Sequence, residues 1–323
     1  MKLLLLTLFI NISLFASDIL TNYRINGIDA IEKEMDLALT KEEYWSNHIK
    51  DKDTTFGYIE SYLNVLTCNK EKSTLNLYSL DEKNKFEFKK EYGAFTGKKK
   101  GDKVKEGDFK TPIGIYQITQ KLSKDTNLNS FYGPLAFVTS YPNIYDLYRG
   151  KNGSGIWIHG LPIEQERDDF TRGCIAINNS NIECLDRNID ISKTLLIIDS
   201  SEVQKNVSKE LLASILSQLY KWRFAWLYND IDAYLNFYAP EFVRYDGMDI
   251  EKFTKYKTRI FKKTEKKIII FKNINIVKYP NSSDIFEITF KEIYKSNTFE
   301  FIGNKTLIVK VDEKKKINIL TEK

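Results

Sequence analysis

The sequence predicts a multidomain α+β protein: a short helical N-terminal region, a mostly β, sandwich-like middle domain and a C-terminal α+β domain. Three observations carry that reading. The apolar periodicity changes twice along the 323 residues, near positions 58 and 203. The middle section is cut into short runs by Asp81, Asn84, Gly97, Gly101, Gly107, Pro112, Gly133, Pro142, Gly150, Gly153 and Gly155. The composition, 42% hydrophobic and 13% aromatic, supplies more than one core at this length.

The chain opens with "MKLLLLTLFINISLFASD", a lysine, an apolar run, and small Ala16 and Ser17 before Asp18. Residues 1–17 read as a secretory signal peptide. The run from Leu3 to Ala16 falls short of the roughly 20 residues a spanning helix needs, and Asn11 and Ser13 interrupt it. Cleavage is expected, giving an exported mature chain with no membrane span. Residues 18–58 then read as helices. In "GIDAIEKEMDLALTKEEYWSNHIK", Ile28, Ile31, Met35, Leu37 and Leu39 partly keep a helical period between charges. So short an element buries little alone. It is expected to pack on the next domain or on a second copy, which makes a homodimer through these helices plausible. His48, in the same stretch, reads as a surface residue.

Residues 59–202 carry the strand pattern, from "YLNVLTC", "STLNLYSL" and "KFEFKKEYGAF" through "GIYQIT" and "LAFVTSY" to "GIWIHG", "CIAIN" and "TLLIID". Strands this short and closely spaced predict a sandwich or barrel with few helices. In 203–323, "KELLASILSQLYKWRFAWLYN" is a long amphipathic helix. A second, "IDAYLNFYAPEFV", is expected to run to Pro240. A third, "DIEKFTKYKTRIFKK", precedes strands near 267–279, 284–295 and 298–311.

The formal charge is +5, from 49 basic and 44 acidic residues, and loss of Lys2 with the signal peptide lowers it to +4. No long basic run alternates with aromatics, so nucleic acid is not an expected partner. The chain holds two histidines and three cysteines, none at short ligand spacing, so no metal and no cofactor are expected. Three cysteines in an exported chain leave at least one unpaired. Cys68 and Cys184 are buried free thiols or a pair, and Cys174, beside Gly173, is the candidate reactive thiol.

Cys174 lies 15 positions after His159 in "IHGLPIEQERDDFTRGCIAI". A thiol attacks a carbonyl as thiolate, which needs a base. His159 can take the proton and return it to a leaving amine. Gly160 and Gly173 permit tight turns. The N–H groups of Gly173 and Cys174 are candidate oxyanion donors, and Arg172 adds a cation that could clamp a carboxylate. The spacing alone fits equally a satisfied core histidine and a small buried thiol.

A second motif decides between them. "KKKGDKVKEGDFKTPIGIYQIT", residues 98–119, joins Gly-Asp to Thr111-Pro112-Ile113-Gly114 and then a strand. Together with "IHG…TRGCIAI" and the intervening "YGPLAFVTSYPNIYDLYRGKNGSGIWIHG", it resembles the L,D-transpeptidase catalytic domain (YkuD-type), with its GD-x-x-TP-x-G segment and HG followed by [ST]-x-GC. The resemblance covers roughly residues 60–200. It implies Cys174 as nucleophile, His159 as base, the Gly160 carbonyl as the group orienting the imidazole, and Thr171 at the Ser/Thr position. Two departures, Arg172 where one common form has histidine and Ala176 where some members have asparagine, bear on substrate contacts. The family acts on peptidoglycan stem peptides. Its thiolate attacks the third residue, expels D-alanine and leaves a thioester for water or an amine.

The flanks refine the expectation. "YKWRFAWLYNDIDAYLNFYAPEFV" resembles the opening helices of nuclear transport factor two-like domains, an α+β cone with a pocket. Trp222, Trp226, Tyr234, Tyr238 and Phe242 there are either pocket lining or ordinary core. The three-part order resembles the cell-shape-determining L,D-carboxypeptidases of helical Gram-negative bacteria. It implies a periplasmic carboxypeptidase that trims tetrapeptide stems to tripeptides. An L,D-transpeptidase forming 3–3 crosslinks and a non-catalytic wall-binding scaffold are the alternatives. Near the motif, Trp157 and Tyr141 are candidate substrate contacts with Thr171, whereas Tyr132, Lys151 and Arg149 read singly as structural or surface residues.

Overall fold

The computed structural model describes residues 19–163 and 168–323. The expected signal peptide lies outside the described residues. Alternation in the middle section closes a ring rather than two separate sheets. β2 (Asn64–Asn69), β3 (Thr74–Leu80), β4 (Phe86–Phe95), β5 (Gly114–Ser123), β6 (Leu135–Thr139), β7 (Trp157–His159), β8 (Ile175–Ile177) and β9 (Thr194–Asp199) form a closed barrel in the order β2-β3-β4-β8-β7-β6-β5-β9. Two pairs, β2 with β9 and β7 with β8, are parallel; the other pairs are antiparallel. Apolar residues at every second position fill the interior, among them Leu66, Leu77, Phe137, Ile158, Ile175, Ile177 and Leu196. α5 (Asn179–Asn188) packs its fully buried Ile182 and Leu185 into the same core.

The C-terminal part is an antiparallel sheet under helices. β10 (Ile268–Lys278), β11 (Ile285–Lys295), β12 (Glu300–Val311) and β13 (Ile317–Glu322) follow in sequence order. The last of these, a short strand at the chain end, is not among those the sequence pattern suggests. α6 (Lys209–Leu227) crosses the sheet and is capped at Ser208, whose side chain accepts from the Leu211 amide. Leu212, Ile215, Leu216, Leu219 and Trp222 of α6 are buried. α7 (Ile231–Leu235) ends well before Pro240. The chain instead turns toward β13, where Tyr238 bridges Ile319 and its hydroxyl donates to the Glu322 carboxylate at 2.8 Å. α8 (Ile250–Phe261) is capped by Asp249.

Residues 19–26 (α1), α2 (Ile28–Leu39) and α3 (Glu42–Ile49) are helical. The packing ties them to the far end of the chain rather than to the neighbouring barrel. Trp45 and Ile49 are buried in the C-terminal core, Trp45 packs 5.0 Å from Tyr220, and Arg223 pairs with Asp36 at 2.7 Å. β1 (Tyr58–Ile59) then joins the edge of the C-terminal sheet beside β10. Leu20, Tyr23, Ile25 and Ile28 remain more than half exposed. A third apolar cluster spans the seam between barrel and sheet, uniting Val65, Ile115, Leu195 and Ile197 with Val277, Tyr279, Ile308 and Leu320. Among the described residues no helix is long and apolar enough to cross a membrane.

Candidate active site

Strand register places the two candidate residues. On β7, Ile158 faces the barrel interior and His159 faces out. His159 pairs with Ala136 on one side and Ala176 on the other, so two methyl groups flank the imidazole and leave it room. Cys174 stands one residue before β8, whose Ile175 pairs with Ile158. The pleat therefore gives Cys174 the same side as Ala176, diagonal to His159 on the outer face. Parallel pairing brings together residues the sequence separates by the whole 160–173 connection.

The histidine is buried, with 2% exposure. Its Nδ1 lies 2.6 Å from the Gly160 carbonyl oxygen. A carbonyl only accepts, so Nδ1 carries the proton and Nε2 is left as the basic nitrogen. The Gly160 carbonyl is thus placed as the sequence resemblance implies. Tyr132 sets its ring edge-on to the imidazole at 5.1 Å and packs on Trp157 at 4.8 Å. Tyr132, Trp157 and His159 form one wall of the site. Gly160 has no space for a side chain: a Cβ there would lie 2.4 Å from Asn179 Oδ1 and 2.9 Å from Pro134 Cδ. The same Asn179 oxygen accepts from the Leu161 amide at 2.7 Å, fixing the main chain just past the histidine.

The cysteine sits on a turn that Thr171 ties together. Thr171 Oγ1 donates to the Cys174 carbonyl at 2.7 Å and accepts from the Gly173 amide at 2.9 Å. Thr171 is buried and acts on the turn rather than lining an open cleft. The Gly173 N–H is already engaged, which corrects the expectation of a ready pair of oxyanion donors and leaves the Cys174 amide as the candidate. Gly173 has φ +139°, and a Cβ there would lie 2.8 Å from the Lys110 carbonyl oxygen. Cys174 itself is half-buried, and its thiol donates to the Gly155 carbonyl at 3.3 Å. Arg172 is exposed and makes no hydrogen bond or ion pair among the described residues, so its cation faces outward beside the turn.

The first motif buttresses the second. Thr111 Oγ1 accepts from the Gly97 amide at 2.8 Å, Gly97 bridges Thr171, and Lys110 presses on Gly173. Asp108 collects the amides of Val104, Lys105 and Lys110 and the Lys103 ammonium, at 2.8–3.1 Å. Desolvation opposes its charge, but the ammonium and those amides outweigh it and hold the carboxyl well below the usual carboxylate range. The loop bearing Gly155 is fixed from below. Lys151 pairs with Asp102 at 2.6 Å and Asp146 at 2.9 Å, Arg149 pairs with Asp146 at 3.0 Å, and Tyr141 donates to the Asn152 carbonyl at 3.1 Å. Tyr141 is buried in the barrel core and its hydroxyl supports this loop; Lys151 and Arg149 are structural, as their single-residue reading has it. Gly155 and Asn179 are contributors the sequence reading missed: one acts through a main-chain oxygen, and the other heads a helix whose amphipathic pattern does not announce its capping end.

Cys68 is buried in the core and Cys184 lies on α5; no disulfide joins any of the three cysteines. Among the described residues no group of three or more His, Cys, Asp or Glu could hold a metal ion. A second cavity, about 620 Å³, opens between α8 and the C-terminal sheet. Of the five aromatics singled out in the sequence, Trp226 lines it, while Trp222, Tyr234, Tyr238 and Phe242 are core. Lys257 reaches this cavity with its ammonium 4.9–5.2 Å from the rings of Trp226, Tyr234 and Phe253.

Residues 64–198 match the L,D-transpeptidase catalytic domain family (YkuD), and residues 214–323 match the Cds6 C-terminal NTF2-like domain family. The helical cell shape determining protein Pgp2 from Campylobacter jejuni is 38% identical with a TM-score of 0.79, covering 88% of this chain and 99% of that one. The structure of a point mutant of Pgp2 gives 37% identity, a TM-score of 0.81 and coverage of 89% and 99%. Bd1075 of Bdellovibrio bacteriovorus is 28% identical with a TM-score of 0.65, covering 84% and 96%. The curated relative YafK of Escherichia coli K12 is 32% identical over 83 residues, which span 26% of this chain and only 29% of that protein. This chain belongs to the same family as Pgp2, and in it an L,D-transpeptidase catalytic domain is joined to a C-terminal NTF2-like domain.

Proposed function

We propose that this chain is an exported, periplasmic cysteine L,D-carboxypeptidase that trims tetrapeptide stems of peptidoglycan to tripeptides and so contributes to cell shape. The observation that carries it is the β7–β8 register, which sets Cys174 at the entry to β8 diagonally beside His159, together with the Gly160 carbonyl that holds the imidazole so that Nε2 is the basic nitrogen. When a stem peptide enters, the Cys174 thiol gives up its contact with Gly155 and passes its proton to His159 Nε2. Sγ attacks the carbonyl of the third residue, and the Cys174 amide faces the developing oxyanion. The imidazolium returns the proton to the departing D-alanine amine, leaving a thioester. Water, deprotonated by the same imidazole, releases the tripeptide. The exposed Arg172 is suited to the substrate carboxylate, and the Tyr132–Trp157 wall to its apolar flank. The cell-shape role rests on likeness to Pgp2, and the exposed apolar side chains of α1 and α2 support a homodimer.

The mature protein with disaccharide tetrapeptide separates the readings by product mass. Loss of one alanine supports trimming. Crosslinked dimers lacking that alanine would mean transpeptidation, and no change in reducing buffer would mean a wall-binding scaffold using the C-terminal cavity. Cys174→Ala should lower turnover by at least about a thousandfold and leave the melting temperature nearly unchanged; full residual activity would remove Cys174 as nucleophile.

A further inference from the structure

Cys184 takes no part in the arrangement above, yet its sulfur is surrounded by donors. It lies half-buried on α5, against β4. Lys90 Nζ and Asn188 Nδ2 each stand 3.6 Å from Sγ. The third neighbour is Tyr92, two residues along β4 from Lys90. Its residue exposure is 1%, and its buried hydroxyl has no oxygen or nitrogen partner, only the Cys184 sulfur beside it. Burial pushes that hydroxyl up to about 12, with the Cys184 sulfur contributing further, so it remains an O–H donor across the physiological range. A buried donor lacking a good acceptor is destabilising, and this one has a sulfur, a weak acceptor, as its polar neighbour. An oxygen atom added to that sulfur would be a stronger acceptor for the donors around it.

We propose that Cys184 is a peroxide-responsive modification site whose sulfenic acid is held by Tyr92, Lys90 and Asn188. In the step, the sulfur attacks one oxygen of hydrogen peroxide and an S–O bond forms as the O–O bond breaks. The thiol proton leaves with the departing hydroxide as water. Sulfur is oxidised by two electrons and the peroxide is reduced. The product oxygen accepts from the Tyr92 hydroxyl and from the Lys90 and Asn188 side chains, and thiol reductants reverse the change.

The test uses the full mature chain carrying Cys174→Ser, in which Cys68 is buried and Cys184 is the accessible thiol. Hydrogen peroxide is added, sulfenic acid is trapped with dimedone, and the Cys184 peptide is weighed by mass spectrometry. A dimedone adduct on Cys184 is expected. Tyr92→Phe should cut the trapped fraction at least fivefold, with the iodoacetamide rate at Cys184 within twofold of the parent. Because the hydroxyl has only a weak sulfur acceptor in the reduced protein, Tyr92→Phe should also melt no lower than the parent. An unlabelled Cys184, equal trapping in Tyr92→Phe, or a clear fall in its melting temperature would overturn the proposal.

Discussion

At the barrel mouth the groups that define the site are held by main chain, whereas the C-terminal cavity is built by long side chains. His159 is oriented by a carbonyl, the Cys174 thiol contacts a carbonyl, and the turn between Thr171 and Cys174 is closed by amide and hydroxyl contacts. The cavity beside α8 instead draws on Lys257, Arg259, Lys263, Lys267 and Lys305, with Glu292, Glu322 and aromatic rings. A site made of main chain keeps its geometry only if backbone packing is undisturbed, so glycines become its most sensitive positions. A site made of charged side chains depends instead on keeping its largely buried ion pair, Lys305 with Glu322, matched. The first suits a reaction that needs reacting atoms held closely; the second suits contact with a variable surface.

The sharpest way to break this contrast is Gly160→Ala. The added methyl meets Asn179 Oδ1 and Pro134, so the segment carrying His159 must move. Turnover of the tetrapeptide should fall by about a hundredfold, since misplacement of about 1 Å has that order of effect. Stability should drop by roughly 1–3 kcal/mol, as overpacking typically does. Retained activity would show that the carrier strand tolerates a shift that its packing argues against.

Thr171→Val should come next, losing both turn contacts at a cost of about 1–3 kcal/mol for the groups left unpaired and reducing the Cys174 alkylation rate. Thr171→Ser, which keeps the hydroxyl, should restore most of both; failure of that rescue would mean the methyl rather than the hydroxyl matters.

The smallest effect on turnover is expected at the seam between the two regions. Glu287 on β11 lies in register with Val277 and Ile308 and faces the barrel. Desolvation, reinforced by Asp146, pushes its carboxyl up to about 8. The folded state therefore holds a proton that the unfolded state loses near its ordinary value of 4.5. Stability from this group is complete below about pH 4.5 and declines as pH rises toward 8. Glu287→Gln should flatten that slope in urea titrations between pH 5 and 8 and raise stability at the upper end. An unchanged slope would place the titrating group elsewhere.

The sequence made the candidate pair legible because thiol chemistry needs specific residue types beside glycine, and main-chain crowding leaves glycine as the visible mark. Gly160 and Gly173 could be read before any coordinates. The contribution of Gly155 could not, since a carbonyl oxygen is common to every residue. The β character of residues 59–202 followed from alternation, but closure into a ring depends on which strands pair, and β7 and β8 are three residues each. The helix expected to reach Pro240 stopped at Leu235 because tertiary pairing of Tyr238 with β13 outweighs local propensity. The aromatics of 222–242 divide between the two readings left open for them: helical spacing marks a buried stripe, and of those five Trp226 lies at its open edge.

One connection carries a mechanical consequence. The chain enters the barrel from β1, already paired into the far sheet, and leaves it toward α6, with Asn206 and Val207 bonded back to Thr55 and Thr54 at 2.9 and 3.1 Å. The barrel is thus an insertion moored by two adjoining stalks rather than a bead on a single string. A lone stalk permits swivelling; a bonded pair resists it, so the barrel mouth keeps a fixed bearing relative to the C-terminal cavity. Whatever the cavity grips would then present its neighbouring groups to the cysteine at a set distance, as a jig presents work to a tool.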